Sequence, residues 1–207
     1  MILKYVIAIV ITAVGSYLLG CCNTSIIISR YILKDDVRNH GSGNAGLTNF
    51  YRVFGVRKIL FVILADVLKT VLAVLLGMAL LGGLCGQPVI GKLLGGMFCI
   101  IGHMFPIMFG LKGGKGVLAG GTLALFMGWK VALIVWGLFI LCLALTRFVS
   151  LGSIAASAAF PFAMAVVYHD WVYTVLGAIA GGLIVWRHKE NIIRLIHGQE
   201  SKLELHK

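Results

Sequence analysis

Two lysines and three glycines stand together at Lys112-Gly113-Gly114-Lys115-Gly116, between long apolar runs. Glycines let main-chain N–H groups approach a ligand closely, and successive N–H groups can form an anion-holding nest. With two ammonium groups added, these residue types suit a phosphate. The plainer alternative is a basic turn that only orients its flanking helices. A second polar stretch, Ser42-Gly43-Asn44-Ala45-Gly46-Leu47-Thr48-Asn49 followed by Arg52, offers hydroxyls, carboxamides and a cation without a carboxylate. That donor set suits an anion better than a metal ion, the alternative being a loop whose Ser and Asn cap the next helix. The third cluster is His188-Lys189-Glu190-Asn191-Ile192-Ile193-Arg194. Arg187, Asn191 and Arg194 there share one helical face at i, i+4 and i+7, with Lys189 and Arg194 read as basic anchors.

What is missing narrows the chemistry. Phe109 stands where a nucleotide P-loop needs its first glycine, and Gly116 rather than Ser or Thr follows Lys115. No His is followed five positions later by Asp, and there is no G-x-S-x-G elbow. An acyl-transfer enzyme built on this chain would work without the usual base dyad or nucleophilic serine. No His or Cys spacing suggests a metal site, and the five cysteines read as small apolar packers.

The elements that must position these clusters are membrane spans. The chain of 207 residues is 60% hydrophobic and only 12% charged, with a mean hydropathy of +1.01. Soluble domains carry about twice that charge. The net charge of +11 then reflects basic loops rather than a nucleic-acid surface. Runs of about 20 apolar residues predict spans over 2–24, 59–81, 89–109, 151–167 and 172–186. The first reads as uncleaved, because apolar residues resume beyond Cys21. The stretch 117–146 is long for one span, and a break at Gly128-Trp129-Lys130 makes two. With that break the Arg30–Lys58 stretch, the glycine-rich loop, Arg147 and the basic C-terminus share one side. Only Lys4, Lys92 and Lys130 fall on the other. The positive-inside rule then predicts an all-α polytopic protein of seven transmembrane helices, N-terminus outside and C-terminus cytoplasmic. The whole chain, 1–207, reads as a single integral-membrane domain.

Some polar residues fall inside spans. Asp66 and Lys69, three apart, are placed to pair on one helical face, and His103 lies near the glycine-rich loop. Thr146–Ser150 makes a short turn in which Arg147 is an anchor and Ser150 a helix cap. After Trp186 a short surface helix is expected to end at Gly198.

Taken together, the clusters resemble the bacterial membrane acyl-phosphate–glycerol-3-phosphate acyltransferases along nearly the whole chain. The family's S-G-N-x-G-A-T-N is Ser42–Asn49 here, with Leu47 for the usual Ala and Arg52 at the following arginine. K-G-G-K-G is intact at Lys112–Gly116. H-R-E-N-I-x-R-L with a later G-x-E is His188–Leu195 followed by Gly198-Gln199-Glu200. Asp66-Val67-Leu68-Lys69, Gly102–Pro106 and Thr146-Arg147 are supporting signatures. The chain departs from the family at Gly20-Cys21-Cys22-Asn23, where G-S-I-P is usual, and at Val117-Leu118-Ala119, where V-A-T is usual.

The resemblance implies transfer of a fatty acyl group from acyl phosphate to the sn-1 hydroxyl of glycerol 3-phosphate, giving lysophosphatidic acid and phosphate. It implies a bacterial plasma-membrane enzyme facing the cytoplasm, with no metal and no cofactor. The soluble phosphate acyltransferase that makes acyl phosphate would be its partner. Under it, Ser42, Asn44, Arg52, Lys112, His188 and Asn191 serve catalysis. Gly43, Gly46, Thr48, Asn49, Gly113, Gly114, Lys115 and Ser150 bind substrate. The competing class is a membrane transporter of a phosphorylated anion, which would favour internal repeats and helices broken at the bilayer midplane.

Overall fold

Long apolar runs in lipid must satisfy their own backbone polar groups, and the chain does so as helices. The computed structural model describes residues 2–203, among which every regular element is helical. They divide into two compact units, the first ending at Leu123 and the second beginning at Ala124.

In the first unit α1 (Ile2–Cys21) leads, and Ala8, Thr12, Ser16 and Gly20 form its buried stripe at four-residue spacing. Those side chains are small, so neighbouring helices approach closely. α1 packs against α4 (Ile59–Gly77) and α5 (Pro88–Met104), which also pack on each other. α4 continues as a π-helical turn to Gly83 before Pro88 opens α5. Between α1 and α4 the chain forms α2 (Thr24–Ile27), a π turn, a 3-10 turn at Val37–Asn39 and α3 (Leu47–Phe54). Ile26, Ile28, Val37, Ala45, Phe50 and Val62 make a small core beneath this connection. Ala45 is the residue of the polar loop 40–46 that enters this core. After α5 a 3-10 turn at Ile107–Phe109 leads into the glycine-rich loop and then α6 (Val117–Phe126).

The second unit contains α7 (Trp129–Thr146), α8 (Val149–Tyr168), α9 (Trp171–Arg187) and α10 (Lys189–Ile196). α8 packs against both α7 and α9, and α10 against α8 and α9. Asp170 caps α9 by accepting from the N–H groups of Val172 (2.7 Å) and Tyr173 (3.2 Å). The surface helix α10 ends as expected, with Gly198 at φ +67 just beyond it.

The expected break in 117–146 is present. Gly128 sits at φ +105, a conformation nearly closed to other residues, and separates α6 from α7. Among the described residues five helical segments are long and apolar enough to cross a membrane, whereas α6 has 10 residues and α9 has 17. At 1.5 Å per residue α6 is about 15 Å long, roughly half a bilayer core. It is one of the two short segments that a break at Gly128 predicts. Ser150 also departs from expectation: Phe148 occupies the N-cap of α8, and Ser150 lies inside the helix.

Candidate active site

The first polar loop is closed by Asn49 from the start of α3. Its side chain is buried: Oδ1 accepts from the Ser42 N–H (2.9 Å), and Nδ2 donates to the carbonyls of Val37 (3.1 Å) and His40 (3.0 Å). Both carboxamide N–H groups are thus used within the loop. Asn49, expected among the substrate-binding residues, is the latch that shapes the loop. Ser42, Gly43 and Arg52 are exposed, while Asn44, Gly46 and Thr48 are partly covered. Gly46 is the N-cap of α3, so neither Ser42 nor Asn44 caps it.

Asn23 anchors the same loop from below. Fully buried, it caps α2 by accepting from the Ile26 N–H (3.2 Å) and donates through Nδ2 to the Ala45 carbonyl (3.1 Å). Its φ of −75 is close to what proline would impose. The departure from G-S-I-P therefore keeps the backbone direction and adds a tie to the loop.

The glycine-rich loop is built differently from the expected nest. The N–H groups of Gly113 and Gly114 donate to the carbonyls of Met104 (3.1 Å) and His103 (3.0 Å). They are turned onto the end of α5, and an anion cannot use those bonds. Their glycines meet a packing need. A Cβ on Gly113 would overlap the His103 carbonyl and Pro106, and one on Gly114 would overlap the His103 ring and the Ala45 carbonyl. The loop is pressed against both α5 and the first polar loop. Lys112 is exposed and Lys115 partly so.

Arg38, counted in the sequence only as a loop charge, ties the Val37–Asn39 turn to the glycine-rich loop. Its Nη1 donates to the carbonyls of Phe109 (2.8 Å) and Lys112 (3.2 Å), while Nη2 donates to Asp36 Oδ2 (2.7 Å). Arg38 and burial pull the Asp36 carboxyl in opposite directions; the hydrogen bond from Arg38 prevails and holds it below the ordinary carboxylate range.

Behind the loops lies a buried charged chain. Asp66 and Lys69 form the expected pair at 2.7 Å, with Thr24 Oγ1 donating to Asp66 at 2.9 Å. Lys69 also donates to the Cys22 carbonyl (3.0 Å) and meets His103 Nδ1 at 3.0 Å. The ring of His103 is thereby set against Gly114.

In the second unit Glu200 is the organising residue. Its Oε1 accepts from Ser150 (2.8 Å) and Asn191 (2.7 Å), and its Oε2 from Arg194 (2.7 Å). Burial alone would raise the carboxyl's pKa, but the hydrogen bonds from Arg194, Asn191 and Ser150 outweigh burial and lower it. Ser150 and Asn191, expected at substrate, are thus held by a carboxylate that the sequence shows only as the last letter of a motif. The buried His188 places Nδ1 2.7 Å from the Ile184 carbonyl. A carbonyl only accepts, so the proton rides on Nδ1 and Nε2 is the basic nitrogen of the neutral ring. Among the described residues no group of three His, Cys, Asp or Glu side chains is placed to hold a metal ion.

The glycerol-3-phosphate acyltransferase family matches residues 10–198. A glycerol-3-phosphate acyltransferase of Thermoanaerobacter pseudethanolicus is 37% identical, over 94% of this chain and 95% of its own. One from Shouchella clausii is 37% identical over 96% of this chain and 97% of its own. A crystal structure of PlsY, described as an integral membrane glycerol 3-phosphate acyltransferase, in its glycerol 3-phosphate form superposes with a TM-score of 0.84. It is 29% identical and covers 95% of this chain and 96% of its own. The lysophosphatidic acid form of PlsY gives 0.81 at 28% identity, with the same coverage. Matched along nearly its whole length, the chain belongs to the glycerol-3-phosphate acyltransferase family.

Proposed function

We propose that the protein transfers a fatty acyl group from acyl phosphate to the sn-1 hydroxyl of glycerol 3-phosphate, releasing 1-acyl-glycerol 3-phosphate (lysophosphatidic acid) and phosphate. The observation that carries this reading is the near full-length match to a structure solved in glycerol 3-phosphate and lysophosphatidic acid forms. Those molecules differ by one acyl chain. Family membership sets the transporter alternative aside.

The attacking hydroxyl oxygen forms a bond to the acyl carbonyl carbon, and the carbon–oxygen bond to phosphate breaks. Phosphate is a good leaving group from this mixed anhydride, so positioning and charge stabilisation supply most of the acceleration. Lys112, Lys115 and Arg52 neutralise phosphate, and Ser42, Asn44 and Thr48 orient it. Gly43 and Gly46 give the first loop its path, Asn49 holds that path closed, and Gly113 and Gly114 seat the second loop. Asn191 and Ser150 contribute polar contacts, oriented by Glu200. A phosphate oxygen of the substrate takes the hydroxyl proton, since no base dyad is present in the sequence. His188 Nε2 is the competing base. A steep kcat loss in His188→Ala, restored by added imidazole, would assign the proton to it instead.

In the bacterial cell membrane the chain crosses seven times, N-terminus outside, with the motif loops and C-terminus in the cytoplasm. The charge distribution along the sequence supports this topology. A soluble enzyme that makes acyl phosphate supplies the donor.

Purified protein in detergent, given labelled glycerol 3-phosphate with acyl phosphate, acyl-CoA or acyl carrier protein in turn, tests the donor. Lysophosphatidic acid formed from acyl phosphate alone is the expected result. Preference for a thioester donor would overturn it.

A further inference from the structure

We propose that Arg38, clipped by Asp36, is a positioning residue that holds Lys112 in register with the first polar loop. This rests on the reading of Lys112 as a phosphate-binding residue. The Asp36-Val37-Arg38 turn faces both loops through consecutive residues. The Val37 carbonyl receives Asn49 Nδ2 at 3.1 Å, fixing the Ser42–Asn49 loop. The Arg38 guanidinium reaches 74 residues along the chain to the Lys112 carbonyl at 3.2 Å, and to the Phe109 carbonyl at 2.8 Å.

The segment it holds is tied on either side of Lys112 by its own main chain. The Leu111 N–H donates to the Pro106 carbonyl (3.0 Å) and the Gly113 N–H to the Met104 carbonyl (3.1 Å), and Arg38 adds the tie at Lys112 itself. Gly110 and Leu111 have φ of +68 and +59, so the 3-10 turn at Ile107–Phe109 cannot continue into the loop. Asp36 in turn fixes the guanidinium. It accepts from Arg38 Nε at 3.0 and 3.2 Å, from Nη2 at 2.7 Å and from the Arg38 N–H at 3.0 Å. The side chains of Arg38 and Asp36 are only 19% and 16% exposed. A planar fork is required: one edge is bound by a carboxylate while Nη1 spans two carbonyls, which a lysine ammonium cannot reproduce. The charge balance also argues against Arg38 as a phosphate ligand, because Asp36 already neutralises it at short range.

Arg38→Lys, Arg38→Met and Asp36→Asn, purified in detergent, give the test, with Lys112→Ala and the Arg38→Met/Lys112→Ala double variant alongside. KM is read for whichever phosphate-bearing substrate Lys112→Ala weakens. Both Arg38 variants should raise that KM about tenfold or more, the scale of losing hydrogen bonds from a charged donor, with kcat changed far less. Asp36→Asn should raise it as well, because the guanidinium loses its anchor. In the double variant Arg38→Met should add little, since the residue acts through Lys112. A lower KM in Asp36→Asn would overturn the proposal by making Arg38 itself the phosphate ligand. So would wild-type kinetics in Arg38→Lys, or full additivity in the double variant. If Lys112→Ala leaves kcat/KM near normal for both substrates, the phosphate reading of Lys112 has failed, independently of the clip. Should Arg38→Met not fold, Arg38→Lys and Asp36→Asn decide.

Discussion

The Lys69 ammonium lies 3.0 Å from His103 Nδ1 and 2.7 Å from Asp66 Oδ1, with all three side chains buried. An ammonium only donates, so His103 accepts at Nδ1 and carries its proton on Nε2, the ring atom set against Gly114. The pair therefore orients the imidazole under the glycine-rich loop as well as cancelling charge. Lys69→Met would leave Asp66 as an uncompensated buried charge, which costs about 3–5 kcal/mol. Removing both charges, as in Asp66→Asn/Lys69→Met, should recover a large part of that loss. Thermal unfolding in detergent reads the difference, and additive destabilisation would refute the pairing.

Gly114 should tolerate no side chain. Alanine there would push into the His103 ring and the Ala45 carbonyl, shifting the loop away from α5. Gly114→Ala is expected to lower kcat/KM by about a hundredfold, the scale of an ångström-sized misplacement. Gly137→Ala is the control. A Cβ at that helical position meets nothing, so it should leave activity intact and raise stability by about 0.5–1 kcal/mol through helix propensity. Equal effects from the two alanines would remove the packing argument.

Much of the architecture is legible in the sequence because apolar run length and interrupting glycines report helix ends directly. Gly128 marks the break before α7, Pro88 opens α5, and Gly198 closes α10. The motif residues are legible as a set, but their duties are not. Asn49 and Arg38 bind main-chain carbonyls, which every residue possesses, so no pattern of side chains reveals them. Ser150 finds its partner Glu200 fifty residues away, in a tail that periodicity leaves blank. Gly113 and Gly114 mislead for a related reason. Glycine serves close packing as readily as anion nests, and only the direction of the N–H groups tells them apart.

Glu200 should make the second unit acid-sensitive. Its folded pKa lies below the unfolded value near 4.5, so its stabilisation is complete above about pH 4.5 and is lost as pH falls through the folded value. Wild type should lose thermal stability on acidification through this window. Glu200→Gln should be less stable at pH 7 and show a shallower decline below pH 4.5. Parallel pH profiles for the two proteins would contradict the hub assignment.

Steady-state turnover by purified wild type and Lys112→Ala in detergent, with acyl phosphate and glycerol 3-phosphate and without vesicles, tests the central claim most directly. Wild type should form lysophosphatidic acid and phosphate one for one. Lys112→Ala should lose ~2–4 kcal/mol of transition-state stabilisation, roughly 30- to 900-fold in kcat/KM, the scale of one key electrostatic donor. No turnover by folded wild type, or near-normal kcat/KM in Lys112→Ala, would contradict it.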